Sequence, residues 1–177
     1  VTNGTLLNEA NVEKIFQSGL DVVHVSIDSS NPKTYESIRV GAKLEDVKAN
    51  VKALVDQRNK RQSRLQVNIN SILMRKNYHE IEDMVRLASE LGTNQLIFCD
   101  IQYSFDVGIS KRYESLRLAD EGEKEEIEEL FKSTKALSEK LKIPVSLPRL
   151  EQPKVRQYCE QPWIYMVVKE NGKVRPC

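Results

Sequence analysis

Long apolar runs are missing from this chain: no stretch approaches the roughly 18 residues that suggest a membrane span. No basic-then-apolar leader opens it either. Neither anchoring nor secretion is indicated, and the cytoplasm is the expected location. A surplus of one charge is also missing. Lys and Arg total 27 against 26 Asp and Glu, a formal net charge of +1, so there is no basic face to neutralise a nucleic-acid backbone, and neither nucleic acid nor membrane is expected as a partner. Histidine is scarce. His24 falls inside an apolar run and His79 at a helix start, neither with a partner that suggests catalysis, so both are read as structural. What remains, 40% hydrophobic and 30% charged residues over 177 positions, is the composition of a globular domain with a sizeable core.

Strand and helix patterns alternate through it. "VTNG" reads as the end of a strand entering a turn, followed by a helix with Asn8 as cap and Gly19 as its left-handed stop. "DVVHVSID" is apolar and β-branched, a strand expected to be buried on both faces. Pro32 suits a first helical turn, and Leu44, Val47, Val51, Leu54 and Val55 mark the stripe of a longer helix. "RLQVNINSILM" predicts the next strand, and Ile81, Met84, Val85, Ala88 and Leu91 the helix after it, closed by Gly92. "NQLIFCDIQY" is a third strand, with Cys99 expected as a small buried hydrophobe. A charged helix from Asp120 to Leu141 precedes "IPVSLP", its face made by Ile127, Leu130, Phe131, Leu137 and Leu141. The less patterned stretch from Tyr103 to Glu123 is a candidate substrate-side loop. Finally, "MVVKENGKVRPC" reads as a hairpin about Asn171 and Gly172, with Trp163 packing beneath it. Both ends read as interrupted, so a piece of a longer protein is expected.

Serial βα units with crossovers long enough for parallel pairing predict an α/β fold, a (β/α) barrel or an open parallel sheet. Ligands bind such folds at the carboxyl ends of the strands. Polar residues two apart share a strand face. Ser26 with Asp28, Asn68 with Asn70, and Asp100 with Gln102 are therefore expected as three polar pairs on one rim, with Thr2 and Asn3 beside them. Cap hydrogen bonds and satisfied interior amides are the competing reading of any single pair.

"TNG" after a strand, "SID" at the tip of the next, Arg39 some dozen residues later and "VNINSILMRKN" together resemble the middle strands of radical S-adenosylmethionine (radical SAM) enzymes. The segment "YCEQPWIYMVVKENGKVRPC" resembles the start of a SPASM domain, the extension that holds auxiliary iron–sulfur clusters in one branch of that superfamily; Cys159, Gly172 and Cys177 match its spacing. The resemblance implies a partial radical SAM barrel of parallel strands with outer helices over 1–148 and the first SPASM hairpin over 149–177. A CxxxCxxC cluster loop and a Gly-Gly-Glu motif are absent from these residues, and Ser29 stands where the pattern has Gly.

Carried over residue by residue, the resemblance gives Ser26 and Asp28 to the ribose and amino-acid portion of S-adenosylmethionine, and Arg39 to its carboxylate. Asn68 and Asn70 face the barrel interior near the methionine portion or the substrate, and Ile101 packs on the adenine. Ribose hydroxyls call for carboxylate or hydroxyl partners, and a carboxylate is well met by a guanidinium fork. Cys159 and Cys177 become ligands of one auxiliary [4Fe–4S] cluster, whose remaining ligands lie beyond this sequence. The implied activity is reductive cleavage of S-adenosylmethionine at a [4Fe–4S] cluster to a 5′-deoxyadenosyl radical that takes hydrogen from a peptide, protein or small-molecule substrate. An electron donor such as flavodoxin or ferredoxin is the implied partner. A lyase on another (β/α) barrel and a nucleotide-binding module without catalysis are the alternatives; none of the strands carries the interior Lys of a Schiff-base lyase.

Overall fold

A computed structural model describes residues 1–101, 115–150, 166–168 and 171–175. Trp163, Gln102, Cys159 and Cys177 lie outside the described residues, as does most of the candidate loop before Ser115.

Four parallel strands, β1 (Val22–Ser26), β2 (Gln66–Leu73), β3 (Gln95–Asp100) and β4 (Val145–Ser146), lie side by side in chain order. Helices α1 (Glu9–Gln17), α2 (Pro32–Ile38), α3 (Leu44–Lys60), α4 (Ile81–Leu91) and α5 (Glu121–Leu141) make the connections. The expected α/β architecture is therefore present, built as βα units in series. Thr2 extends the sheet by one bridge: its N–H donates to the His24 carbonyl and its own carbonyl accepts from Ser26, in parallel with β1. The Asn-Gly hairpin is present as β5 (Val167–Val168) paired antiparallel with β6 (Val174–Arg175).

Local signals fix these elements. Asn8 and Asn31 cap α1 and α2 by accepting backbone N–H groups at 2.9 to 3.0 Å, and α5 carries a reciprocal capping box between Asp120 and Glu123. Gly4 has no substitute. Its φ is +78°, and a Cβ there would come within 2.9 Å of both Val25 and Val47. The turn after Thr2 can therefore lie directly against β1 and α3, where Asn50 Nδ2 donates to the Gly4 carbonyl at 3.0 Å.

The core lies between the sheet and its helices. Val23, Val25, Ile27, Val67, Ile69, Leu73, Leu96 and Phe98 meet the stripe of α3 and the apolar side of α4. On α5, Ile127 and Thr134 are buried, whereas Leu130, Phe131, Leu137 and Leu141 pack against the core only partly covered. β1 departs from expectation. Val23 and Val25 are buried, but Val22 is exposed and His24 and Ser26 are half-buried. The strand is covered by helices on one face only, and its other face carries polar side chains; an apolar-looking run with alternate polar insertions can signal this arrangement.

Candidate functional site

Register brings the polar residues of the uncovered face together. His24 pairs with Asn68, Ser26 with Asn70, and Ile72 with Cys99, and paired residues in a parallel sheet project to the same side. At the carboxyl end of this face a cleft of about 340 Å³ is lined by Ser26, Arg39, Asn70, Ser71, Ile72, Cys99, Asp100 and Ile101. Five of the residues expected at the rim or the site, Ser26, Arg39, Asn70, Asp100 and Ile101, thus share one concavity, of a volume suited to a small ligand.

Asp28 and Asn68 stand elsewhere. Asp28 is 2% exposed and does not line the cleft; it lies behind it. Its Oδ2 accepts from Arg39 Nε at 2.6 Å, and its Oδ1 accepts from the Ile72 backbone N–H at 2.9 Å. This leaves the outer amino groups of the Arg39 fork for a ligand. Asn68 is not at a strand end but at the third position of β2, 3% exposed, and its Oδ1 has no partner. Such an orphaned carbonyl is costly to bury and marks a place where water or a ligand belongs.

Of the third expected pair, Asp100 lines the cleft, while Gln102 lies outside the described residues. Ser115 Oγ donates to Asp100 Oδ1 at 3.1 Å, and Arg117 Nε stands 2.8 Å from its Oδ2. Cys99, paired in register with Ile72, lines the cleft as well. Cys99 is exposed rather than buried; the surrounding sheet still withholds enough water to push its thiol pKa up, which keeps it protonated and weakly nucleophilic near neutrality. Asn3 is exposed and caps its own turn by accepting from Thr5.

Sequence reasoning missed the groups that hold this rim. Glu80, 7% exposed at the start of α4, accepts hydroxyl hydrogens from both Ser29 and Thr34, so its two oxygens hold opposite ends of the turn between β1 and α2. Ser29 Oγ also accepts from the Asn31 N–H at 2.9 Å, so a hydroxyl is structurally employed where the resemblance has Gly. Asn77, 2% exposed, donates through Nδ2 to the Asp28 and Ile72 carbonyls and accepts from the Met74 N–H, tying the tips of β1 and β2. The available signal was the polar run "NYHE" just before a helix. Tyr35 packs beneath, fully buried with its hydroxyl unpartnered; burial pushes its phenol pKa up, against the nearby Arg39 charge and with that of Asp28.

Comparison with known proteins agrees with this fold. The model of the Radical SAM superfamily matches residues 1–88, the segment holding Thr2, the tips of β1 and β2, Arg39 and Glu80. This chain belongs to the radical SAM superfamily. A probable GTP 3′,8-cyclase of Methanothermobacter thermautotrophicus is 39% identical over 92 residues, 51% of this chain and 28% of the relative. An AdoMet-dependent heme synthase of Methanosarcina barkeri is 34% identical over 92 residues, 51% of this chain and 25% of the relative. The matched part thus spans 28% and 25% of these two relatives. Streptococcus suis SuiB has the same fold, with TM-score 0.65 and 16% identity over 99% of this chain and 42% of its own. The structure of SuiB bound to its precursor peptide SuiA matches with TM-score 0.59 and 15% identity, over 99% of this chain and 41% of its own. Among the described residues no helix is long and apolar enough to cross a membrane, and no three His, Cys, Asp or Glu side chains group as a metal site.

Proposed function

We propose that this chain supplies the S-adenosylmethionine-binding part of a radical SAM enzyme that modifies a peptide or protein in the cytoplasm, drawing electrons from a flavodoxin- or ferredoxin-like donor. One observation carries the reading: Ser26, Arg39, Asn70 and Ile101 line a single cleft at the strand ends, the first three of them inside the segment where the family is matched. The donor set fits the cofactor. Arg39, held through Nε by Asp28, offers its free amino groups to the α-carboxylate; Ser26 offers a hydroxyl to the ribose; Ile72 and Ile101 offer an apolar wall to the adenine. Asp28 acts through Arg39, because both its oxygens are already engaged. When bound and reduced, the cofactor supplies hydrogen-atom abstraction from substrate; this chain's part is to bind it, orient it and keep water away.

The three cysteines, at 99, 159 and 177, do not provide the catalytic cluster's CxxxCxxC spacing, so no step through that cluster is assigned to these residues. Cys159 and Cys177 are proposed to share an auxiliary [4Fe–4S] cluster at the start of a SPASM domain over 149–177, following a partial barrel over 1–148; the thiolate is a ligand suited to iron. The fold likeness to SuiB, whose structure with its precursor peptide is known, supports a peptide substrate. A nucleotide-like small molecule is the second reading, supported by the 39% identity to a probable GTP cyclase.

The whole protein, purified without oxygen, should bind more iron than one cluster accounts for and release 5′-deoxyadenosine from S-adenosylmethionine on reduction. Cys159→Ala and Cys177→Ala should each lose one cluster's iron while retaining part of that cleavage. A whole protein without iron or cleavage overturns the enzyme; unchanged iron in both variants overturns the auxiliary cluster.

A further inference from the structure

We propose that His24 is a positioning residue of the cleft, fixing the amide of Asn70 so that its Nδ2 faces the bound ligand as a donor. His24 Nδ1 stands 3.1 Å from Asn70 Oδ1. A carbonyl oxygen only accepts, so Nδ1 carries the hydrogen and the imidazole donates. An amide has one acceptor lobe and one donor lobe. With Oδ1 turned towards His24, the donor lobe is left for the cleft that Asn70 lines. Without the imidazole the two orientations differ little in energy, and an incoming carboxylate would meet the carbonyl in a share of the molecules.

Asn68, next along this face, supports the assignment independently. It pairs in register with His24, yet its buried Oδ1 has no partner. The histidine donor is therefore committed to the amide at the cleft and not to the one beneath it. Both asparagines look equivalent in the sequence; only the structure separates an oriented amide from an unsatisfied one.

The proposal rests on the S-adenosylmethionine reading, and its test separates the two. S-adenosylmethionine affinity of the whole protein is measured by equilibrium dialysis without oxygen, with circular dichroism confirming folding. His24→Phe, which keeps a ring and removes the donor, should weaken binding about tenfold, the effect of one oriented hydrogen bond. His24→Gln, which can still donate to Asn70 Oδ1, should restore affinity to within about threefold of wild type. In an Asn70→Ala background His24→Phe should cost nothing further, because the two act as a unit. Asn70→Asp, informative however the His24 variants fold, should bind more weakly than Asn70→Ala, because it sets a carboxylate against the cofactor's own. Wild-type affinity in His24→Phe, an additive loss in the double variant, or Asn70→Asp binding as well as Asn70→Ala would each overturn the positioning role. Absence of S-adenosylmethionine binding by the wild-type protein would instead overturn the function proposed above.

Discussion

The two sides of the cleft are built in opposite ways. On the β1 side the rim is over-determined: Asp28 is bonded at both oxygens, Glu80 holds both ends of the following turn, and Asn77 ties the tips of two strands. On the β3 side Cys99 is exposed, and Asp100 is held only from Ser115 and Arg117, among the described residues. The first side places charge and donors where a polar ligand needs fixed partners. The second presents the Cys99 thiol and the apolar Ile101 side chain beside that carboxylate, a surface that adapts at low cost. Rigid placement of a charged donor is what makes it worth more to a ligand than it would be in water.

The largest expected effect is at Arg39. Removing it leaves Asp28 as a buried carboxylate without its cation, so Arg39→Ala should lower unfolding stability by about 3 kcal/mol, read by urea denaturation, and also weaken S-adenosylmethionine binding. A loss as small as that of a surface arginine would erase the contrast between the two sides. Next is Glu80→Ala, which deprives the Ser29 and Thr34 hydroxyls of their shared acceptor and should cost about 2 kcal/mol. Ser29→Ala alone should cost less, since Thr34 still holds Glu80.

Tyr35→Phe should act in the other direction. The lost hydroxyl is buried and unpartnered, so the variant should be about 1 kcal/mol more stable. It should also change the alkaline limb. The phenol's pKa is raised in the folded state, so the unfolded chain releases its proton first as pH rises, and wild-type stability falls above about pH 10, the ordinary tyrosine value. The fall should be shallower in Tyr35→Phe, as thermal midpoints between pH 9 and pH 11 would show. The smallest effect belongs to the adaptable side: Cys99→Ser should change stability by no more than about 0.5 kcal/mol, because the side chain is exposed.

The order of elements was legible because helix and strand periods, caps and left-handed glycines agree along the chain: Asn8, Pro32, Gly19 and Gly92 start and stop helices where the sequence predicts. Of the residues that line the cleft, Ser26, Asn70 and Ile101 were singled out in the sequence as positions at strand ends and Arg39 through the family resemblance. What was not legible depended on which way a strand faces when it emerges from the core. Cys99 was expected in the core, and a one-residue change in phase exchanges core for cleft wall. Glu80 and Asn77 escaped notice because these partners lie 46 to 51 residues away in sequence, in the turn after β1 and the first turn of α2. The hydrogen bond of His24 was hidden for a similar reason. Its partner, Asn70, lies on the adjacent strand.

Cys99 provides the most direct test of whether the cofactor occupies this cleft. The whole protein is treated with iodoacetamide, with and without saturating S-adenosylmethionine, and alkylation of the peptide carrying Cys99 is followed by mass spectrometry. Bound cofactor should slow alkylation of Cys99 several-fold, and Arg39→Ala should abolish the protection at the same cofactor concentration. Equal alkylation of Cys99 with and without a cofactor shown by dialysis to be bound would contradict the account.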